Sequence, residues 1–236
     1  LGKPMLARQL ERVRQSMRLE RLIVATSTDP SDDSIDTLCR YEGVECYRGK
    51  LEDVLDRFYQ AAVPLHPEYV VRLTGDCPLV DSAIIDQVCA FCLEGGFDYA
   101  TNAQQPTYPD GLDVEICRFE CLEQAWREAV MPSHREHVTP FIHRNPQRFK
   151  IGHFKNDVDL SHLRWTVDEP EDLELVTNIY EALYPANPRF DTAVILALLE
   201  RHPEWKTVNA MHGRNEGGKK SLLADAQYLK QFNEAK

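Results

Sequence analysis

The sequence has no apolar run near the roughly 20 residues that a membrane-spanning helix needs, and no secretory signal is visible in it. It also lacks an excess of basic residues: 27 Lys and Arg stand against 38 Asp and Glu, which gives a net charge of −11. A general nucleic-acid binder needs a basic face, whereas a nucleotide enzyme needs only a local basic patch. We therefore expect neither nucleic acid nor a membrane as a partner.

A disulfide framework is also missing, because the seven cysteines are an odd number without regular spacing. Cys89 and Cys92 have C-x-x-C spacing, but they lie inside a helical pattern and no second close pair accompanies them. Buried helix cysteines are favoured here over a zinc site. Reduced thiols predict a cytoplasmic location. The sequence contains no internal repeat and no low-complexity tract.

What the sequence does contain is an alternation of helical and strand-like patterns. Short apolar strands at 22–25, 44–47 and 69–71 alternate with helical patterns at 4–17, 33–41, 51–62 and after Asp81. This order predicts a Rossmann-like, mostly parallel sheet with helices on both faces. Such a sheet normally opens with a strand before its first helix, so we expect that first strand to be missing ahead of Leu1.

The alternation changes after Gly96. Further strands are predicted at 97–102, 111–116, 149–154 and 163–167, and further helices at 119–130, 133–143, 170–184 and 191–202. We predict an α/β domain over residues 1–203 with a small inserted β/α lobe at about 103–162. Residues 204–236 are predicted to be a C-terminal extension, with a flexible polar linker at 214–220 before a last helix.

Two carboxylates follow predicted strands directly. Asp76 comes after Tyr69–Arg72 and the Thr74-Gly75 turn, and Asp168 comes after the 163–167 pattern. Ligands of open α/β sheets bind outside the carboxyl ends of the strands. An acid beside a glycine at such an edge suits a hard cation carrying phosphates, although Asp76 as a simple turn residue is an equal alternative.

Other polar groups have similar alternatives. The hydroxyls of Thr26 and Ser27 could bind a nucleotide, or could belong to a loop in which Ser31 or Asp32 caps the next helix. Asp113 and Glu115 share one face of a predicted strand. This face is either exposed to solvent or binds a partner that is cationic or rich in hydroxyls.

The three histidines at 134, 137 and 143 do not have metalloenzyme spacing, so hydrogen bonding or packing is favoured for them. The acids Glu171 and Asp172 would complement the dipole of the helix that follows Asp168.

Taken together, several segments resemble the sugar-activating cytidylyltransferases, and most closely the spore-coat-polysaccharide type, relatives of acylneuraminate and ketodeoxyoctonate cytidylyltransferases. The similar segments run in family order from Leu1 to about Leu183. They are Gly2-Lys3-Pro4-Met5-Leu6, Val24-Ala25-Thr26-Ser27, Arg48-Gly49, residues 52–57, residues 72–79, residues 108–115, residues 136–139 and residues 164–173.

The resemblance implies a nucleotide-diphospho-sugar transferase-like fold and a reaction of CTP with a sugar or sugar acid, giving a CMP-sugar and pyrophosphate for surface polysaccharide synthesis. It implies Mg²⁺ held by Asp76 and Asp168, which are also the catalytic residues. By the same resemblance, the implied nucleotide-binding residues are Thr26, Ser27, Arg48, Thr74 and Gly75, and the implied sugar-binding residues are Asp110, Asp113, Glu115 and His137. Arg72 would either help to neutralise charge near the phosphates or hold the turn in its conformation. A homodimer is expected, with contacts near residues 107–160.

The resemblance also places the family's glycine- and basic-rich triphosphate loop just before Leu1, so the chain from Leu1 onward is expected to lack its main triphosphate clamp and its activity as it stands is in doubt. Two alternatives stay open. One is a metal-dependent nucleotide-sugar glycosyltransferase, which the single acid of Gly75-Asp76-Cys77-Pro78 disfavours because such enzymes normally carry a D-x-D pair. The other is a non-catalytic nucleotide-binding module.

Overall fold

The computed structural model describes residues 2–214 and 216–234, without the side chains of 216–220, 222 and 232–234. The six strands of the described residues are β1 (Ile23–Ser27), β2 (Glu45–Gly49), β3 (Tyr69–Arg72), β4 (Tyr99–Thr101), β5 (Glu115–Arg118) and β6 (Ile151–His153). The α-helices are α1 (Met5–Val13), α2 (Asp33–Glu42), α3 (Val54–Ala62), α4 (Ser82–Gly95), α5 (Phe119–Glu128), α6 (Pro132–His137), α7 (Pro140–His143), α8 (Pro170–Leu183), α9 (Thr192–Arg201) and α10 (Glu216–Glu234). Short 3₁₀ helices cover Pro30–Asp32, Val63–Leu65 and Pro203–Thr207.

Local sequence signals set the ends of the helices. α2 stops at Gly43, whose φ of 63° is left-handed and favours glycine. Asp53 and Asp81 cap α3 and α4, since each carboxylate accepts a hydrogen bond from a backbone amide of the first turn. At these boundaries, the ends of the helices are therefore set by residues that are local in the sequence.

The described strands form two sheets. β1 and β2 pair in parallel, with Thr26 opposite Arg48. The second sheet has the order β3-β5-β4-β6, in which β4 and β6 are parallel and β5 runs antiparallel to both of its neighbours. The α/β class is thus confirmed, and β5 is the strand that runs against the predicted parallel direction.

Two apolar clusters hold these layers together. The larger lies between the second sheet and the helices α4, α8 and α9, and it includes the fully buried Trp165 and Leu112. The smaller joins α3, α5 and α7 around Leu55, Tyr99 and Ile142. Such burial is the main favourable term in folding.

All seven cysteines are unpaired, and six of them are buried. Burial raises the pKa of every one of these thiols, to about 12 for Cys39, Cys92 and Cys121, and to about 11 for Cys89. The C-x-x-C pair lies in α4, where Cys89 and Cys92 pack into the larger core. The expectation of buried helix cysteines is confirmed.

Three predicted elements differ from the structure. Residues 163–167 do not form a strand, and only a single parallel bridge joins Arg164 to Asp110. The predicted helix over 133–143 is two short helices, broken at Val138 with a φ of 72°. At the start of the first of these helices, the Ser133 hydroxyl and amide donate to Asp225.

The third difference concerns the predicted linker at 214–220. Most of it belongs to α10, which starts at Glu216 and packs on α6. Ser221 and Asp225 of α10 are buried at this contact, so tertiary docking overrides the local glycine signal. Within the described residues, no helix combines the length and the apolar character that crossing a bilayer requires.

Candidate active site

The turn after β3 presents Asp76 at the edge of the second sheet. The Thr74 carbonyl accepts a hydrogen bond from the Gln9 side-chain amide at 2.6 Å, and the Thr74 hydroxyl lies 3.3 Å from the Cys77 sulfur. Within residues 2–214, the only hydrogen bond of the Asp76 carboxylate is a weak one from the Cys77 thiol at 3.4 Å. The turn is therefore fixed by its neighbours while the carboxylate remains available to a ligand.

Gly75, beside this carboxylate, is exposed and faces open space. A Cβ added there would meet nothing within 4 Å, and Gly75 does not have a positive φ. The chain does turn at Gly75 and Asp76, but this backbone conformation does not demand glycine. Close approach of a ligand to the backbone is the remaining physical reason for a glycine at this position.

Asp168 lies beside Asp76 because their backbone segments are hydrogen-bonded. The amide of Val167 donates to the Asp76 carbonyl at 2.8 Å, and the Thr166 hydroxyl lies 3.4 Å from the same oxygen. One oxygen of Asp168 accepts a hydrogen bond from Arg164 at 2.7 Å, and half of the Asp168 side chain is exposed. The structure thus brings together the two acids on which the proposed chemistry depends.

Asp172 has a larger role than the helix-dipole one predicted for it. Its side chain is fully buried and accepts hydrogen bonds from Arg164, from Asn209 at 2.8 Å and from the amides of Asp168 and Glu169. Burial alone would raise the pKa of Asp172, but these donors lower it to about 2. Asp172 therefore holds the segment that carries Asp168 in place.

Asp110 and Asp113 form a second acidic group in the same neighbourhood. The backbone of Asp110 is bridged to Arg164, and burial raises the pKa of its carboxyl group, with the charges of Asp76 and Asp168 adding to that rise. Burial raises the pKa of Asp113 to about 6. The Asp113 carboxylate accepts a hydrogen bond from Arg214 at 2.5 Å, and a pKa of about 6 leaves Asp113 mostly ionised at pH 7.

Gly111 makes this arrangement possible. Its φ is 102°, and a Cβ at this position would lie 2.6 Å from the backbone of Trp165 and Thr166. The segment holding Asp110 and Asp113 therefore passes directly against the segment that ends in Asp168. Only a glycine fits this contact without strain.

Glu115 is a buried residue of the second sheet. It is buried in β5, where it pairs with Arg72 of β3 and accepts hydrogen bonds from the hydroxyls of Tyr99 and Thr139. Burial acts to raise the pKa of Glu115, but Arg72 and the two hydroxyls lower it below its usual value. Arg72 thus joins two strands, and neither the phosphate role nor the turn role predicted for it describes its contact.

His137 packs against α10. Its Nε2 atom lies 2.8 Å from the Ser221 hydroxyl, which also donates to Glu136. Burial lowers the pKa of His137, so the ring is neutral at pH 7. Both of the predicted sugar-binding residues Glu115 and His137 therefore have protein partners.

Thr26, Ser27 and Arg48 form a separate group at the ends of β1 and β2. The two hydroxyls and the Ser27 amide donate to Asp32, at distances between 2.5 and 2.9 Å. Arg48 donates to the Ser27 carbonyl and pairs with Asp33 at 2.7 Å. Asp32 therefore binds back to the strand, while Asp29 caps the following 3₁₀ helix.

Within residues 2–214, no hydrogen bond or ion pair joins this group to Asp76 or Asp168. The structure thus gathers Thr74, Gly75, Asp76, Asp110, Asp113 and Asp168 into one region, and leaves Thr26, Ser27, Arg48, Glu115 and His137 with roles in local structure. Arg164, Asp172 and Arg214 belong to the site but were missed. The proximity of Arg164 to Asp168 gave a weak signal, and Arg214 gave none.

Comparison with known proteins identifies relatives of the whole domain. Residues 1–205 match the sequence model of a family described as Cytidylyltransferase. An uncharacterized protein of Methanocaldococcus jannaschii is 35% identical over 203 residues, which cover 85% of this chain and 82% of that one. The spore coat polysaccharide biosynthesis protein SpsF of Bacillus subtilis is 29% identical over 205 residues, 84% of each chain.

A solved cytidylyltransferase structure from Leptospira borgpetersenii is similar throughout. It matches with a TM-score of 0.82 and 30% identity, covering 87% of this chain and 86% of that chain. This agreement confirms the fold that the sequence motifs implied.

Proposed function

The chain belongs to the cytidylyltransferase family, and on this premise we propose that it transfers CMP from CTP to a sugar or sugar acid for surface polysaccharide biosynthesis. A sugar hydroxyl oxygen would bond to the α-phosphorus of CTP as the bond from that phosphorus to the bridging oxygen breaks. Pyrophosphate leaves, and the hydroxyl proton passes to solvent. Such a reaction depends on positioning and charge stabilisation more than on a covalent nucleophile.

The observation that carries this proposal is the position of Asp76. In the described part of the chain its carboxylate has only a weak thiol partner, while its backbone is fixed by Val167, one residue before Asp168. An open carboxylate on a rigid turn at a strand end is what a substrate-bound cation needs. The exposed Gly75 leaves space for phosphates beside it.

These residues fit Mg²⁺ as the implied ion. Among the described residues no group of three or more His, Cys, Asp or Glu side chains could hold a metal by itself. Mg²⁺ is usually held by one or two carboxylates, with substrate phosphates and water completing its shell. Asp76 and Asp168 supply such a pair. When bound, the ion would neutralise phosphate charge and orient the reacting oxygens.

The other polar residues near Asp76 and Asp168 are assigned to different parts of the two substrates. Asp110 and Asp113 carry carboxyl groups in the neighbourhood of Asp76 and Asp168, and we assign them to the hydroxyls of the sugar. Thr74 and Gly75 border the space beside Asp76 and are assigned to the nucleotide. The hydroxyls of Thr26 and Ser27 would first have to leave Asp32, so for them we favour a role in holding the loop.

Location and assembly complete the proposal. Seven unpaired cysteines with raised thiol pKa values suit a reducing compartment, and we propose that the protein is cytoplasmic. We also propose a homodimer that pairs through residues 107–160. Light scattering of the purified protein tests the dimer, because a monomer mass at micromolar concentration would contradict it.

A pyrophosphate-release assay tests the reaction. The complete encoded chain is incubated with Mg²⁺, N-acetylneuraminate or 3-deoxy-manno-octulosonate, and each of the four nucleoside triphosphates. Release with CTP that depends on the sugar, together with a CMP-sugar product, supports the proposal. Sugar transfer from a nucleotide sugar without pyrophosphate supports a glycosyltransferase, and CTP binding without turnover supports a binding module.

A further inference from the structure

The segment that follows the family match returns to the candidate active site. The match ends at residue 205, and four residues later the Asn209 side chain, 3% exposed, donates to the Arg164 carbonyl and to Asp172. The Gly213 carbonyl then accepts a hydrogen bond from Arg164 at 3.0 Å. The segment is therefore tied to the two residues that hold Asp168.

Arg214, the next residue, reaches the acidic group. Its guanidinium donates to the Asp113 carboxylate at 2.5 Å and to the Tyr108 carbonyl at 3.0 Å, and it lies 3.9 Å from Asp110. The Arg214 side chain is only 21% exposed, so water screens this pair weakly. A planar guanidinium holding two groups in this way fixes their relative geometry.

A second attachment lies beyond Arg214. Ser221 of α10 donates to Glu136, and Asp225 accepts two hydrogen bonds from Ser133 at 2.6 and 2.8 Å. Both α10 side chains are less than 10% exposed. Arg214 is therefore anchored on either side along the chain, which restricts the positions it can reach.

We propose that Arg214 is a positioning residue of the sugar subsite. It is supplied by the chain segment beyond the family match, and it orients Asp113 and Asp110 to accept hydrogen bonds from the sugar's hydroxyls. This role of Arg214 rests on the proposed function, in which these two acids are the sugar contacts. Arg214 acts through them: its donors are already directed at Asp113 and Tyr108. Without this cation, Asp110 would keep Arg164 at 3.6 Å, while Asp113 would lose the guanidinium that holds it.

The test compares Arg214→Gln and Arg214→Lys with Lys230→Gln, which removes one charge from the exposed surface of α10. The assay measures KM for N-acetylneuraminate and for 3-deoxy-manno-octulosonate, KM for CTP, and kcat. Arg214→Gln should raise the KM for the sugar that turns over by about tenfold, with a much smaller change in KM for CTP. Arg214→Lys should recover part of this loss, because a lysine keeps the charge but not the two-sided contact. Lys230→Gln should match the parent.

A double-mutant cycle of Arg214→Gln with Asp113→Asn, read by urea unfolding, tests the contact without any substrate. Coupling in stability together with the change in sugar KM supports the proposal. Coupling with an unchanged sugar KM overturns it and leaves the reaction standing, and a lowered sugar KM overturns it by showing that Arg214 obstructs the site. If the parent turns over neither sugar with CTP, the proposed function fails and this inference fails with it.

Discussion

The amide of Val167 donates a hydrogen bond to the carbonyl oxygen of Asp76 at 2.8 Å, which joins two residues that are 91 positions apart in sequence. Through this bond the turn after β3 and the approach to α8 become one rigid edge. Asp76 and Asp168 belong to these two segments, and backbone atoms hold the segments together. Changes to either side chain should therefore affect chemistry more than folding.

Asp76→Asn should lower turnover with CTP by about 100-fold or more, because the charge facing the phosphates is lost. Folding should be intact, with a free energy of unfolding within about 0.5 kcal/mol of the parent, since among the described residues the carboxylate makes no contact stronger than the one with the Cys77 thiol. Pyrophosphate release and urea unfolding measure the two effects. Glu174→Gln, an exposed change on α8, is the control. An unfolded variant would make Asp76 a structural residue instead.

Two glycine substitutions should separate backbone strain from access to the site. Gly111→Ala should destabilise the protein by about 2 kcal/mol, because the new methyl group meets the backbone of Trp165 and Thr166 at a positive φ. Gly75→Ala should leave stability nearly unchanged but lower kcat/KM for CTP by about tenfold, because its methyl group occupies space beside Asp76. Thermal unfolding and steady-state kinetics distinguish them. If Gly75→Ala has the same kinetic parameters as the parent, the phosphates do not bind beside Gly75.

Asp172 should make the protein sensitive to acid. Its carboxyl pKa is lowered from 3.8 to about 2 in the folded chain, so its contribution is present above about pH 4 and is lost as the pH falls through 2. The shift corresponds to about 2 kcal/mol. Asp172→Asn should cost about 3 kcal/mol at pH 7 and should flatten the decline in stability between pH 4 and pH 2.

Urea unfolding at a series of pH values checks this prediction, with Glu181→Gln on the exposed side of α8 as the control. An equally steep acid decline in Asp172→Asn would mean that other carboxylates dominate. Asn209→Ala should cost less than Asp172→Asn, because Arg164 still compensates the buried charge.

Glu115→Gln should destabilise the protein by about 3 kcal/mol, since it leaves Arg72 buried without its counter-charge. Replacing both partners, as in Arg72→Met with Glu115→Leu, should recover part of the loss. Glu120→Gln, exposed at the start of α5, should have no effect on unfolding in urea. A large rise in sugar KM for a stable Glu115→Gln protein would restore the sugar-binding role that the family resemblance implied.

The parts of the site that lie close in sequence could be predicted. Asp76 was identified because a buried strand, a glycine and a proline surround it, and these signals act over a few residues. The prediction of a strand at 163–167 was wrong, because the alternation of Leu163, Trp165 and Val167 reflects the packing of side chains and not the pairing of a strand. The backbone of this segment pairs with Asp110 and Asp76, and not with a full strand.

The contacts that could not be predicted join distant parts of the chain. Arg214 lies 101 residues from Asp113, and the glycines after it indicated a linker. Asp172 looked like an ordinary first-turn acid until Arg164 and Asn209 were placed against it. Such residues become recognisable only when the fold brings their partners together, because single-sequence patterns carry no information on long-range pairing.

The shielded cysteines have a practical consequence for spectroscopy. The thiolate is the reactive form, and every native thiol of this chain has a raised pKa, with six of the seven buried. A new cysteine placed at an exposed position such as Gln227 should react with a maleimide dye far faster than the native ones. Fluorescent reporters of the docking of α10 on α6 can then be attached without first deleting the native sulfhydryl groups.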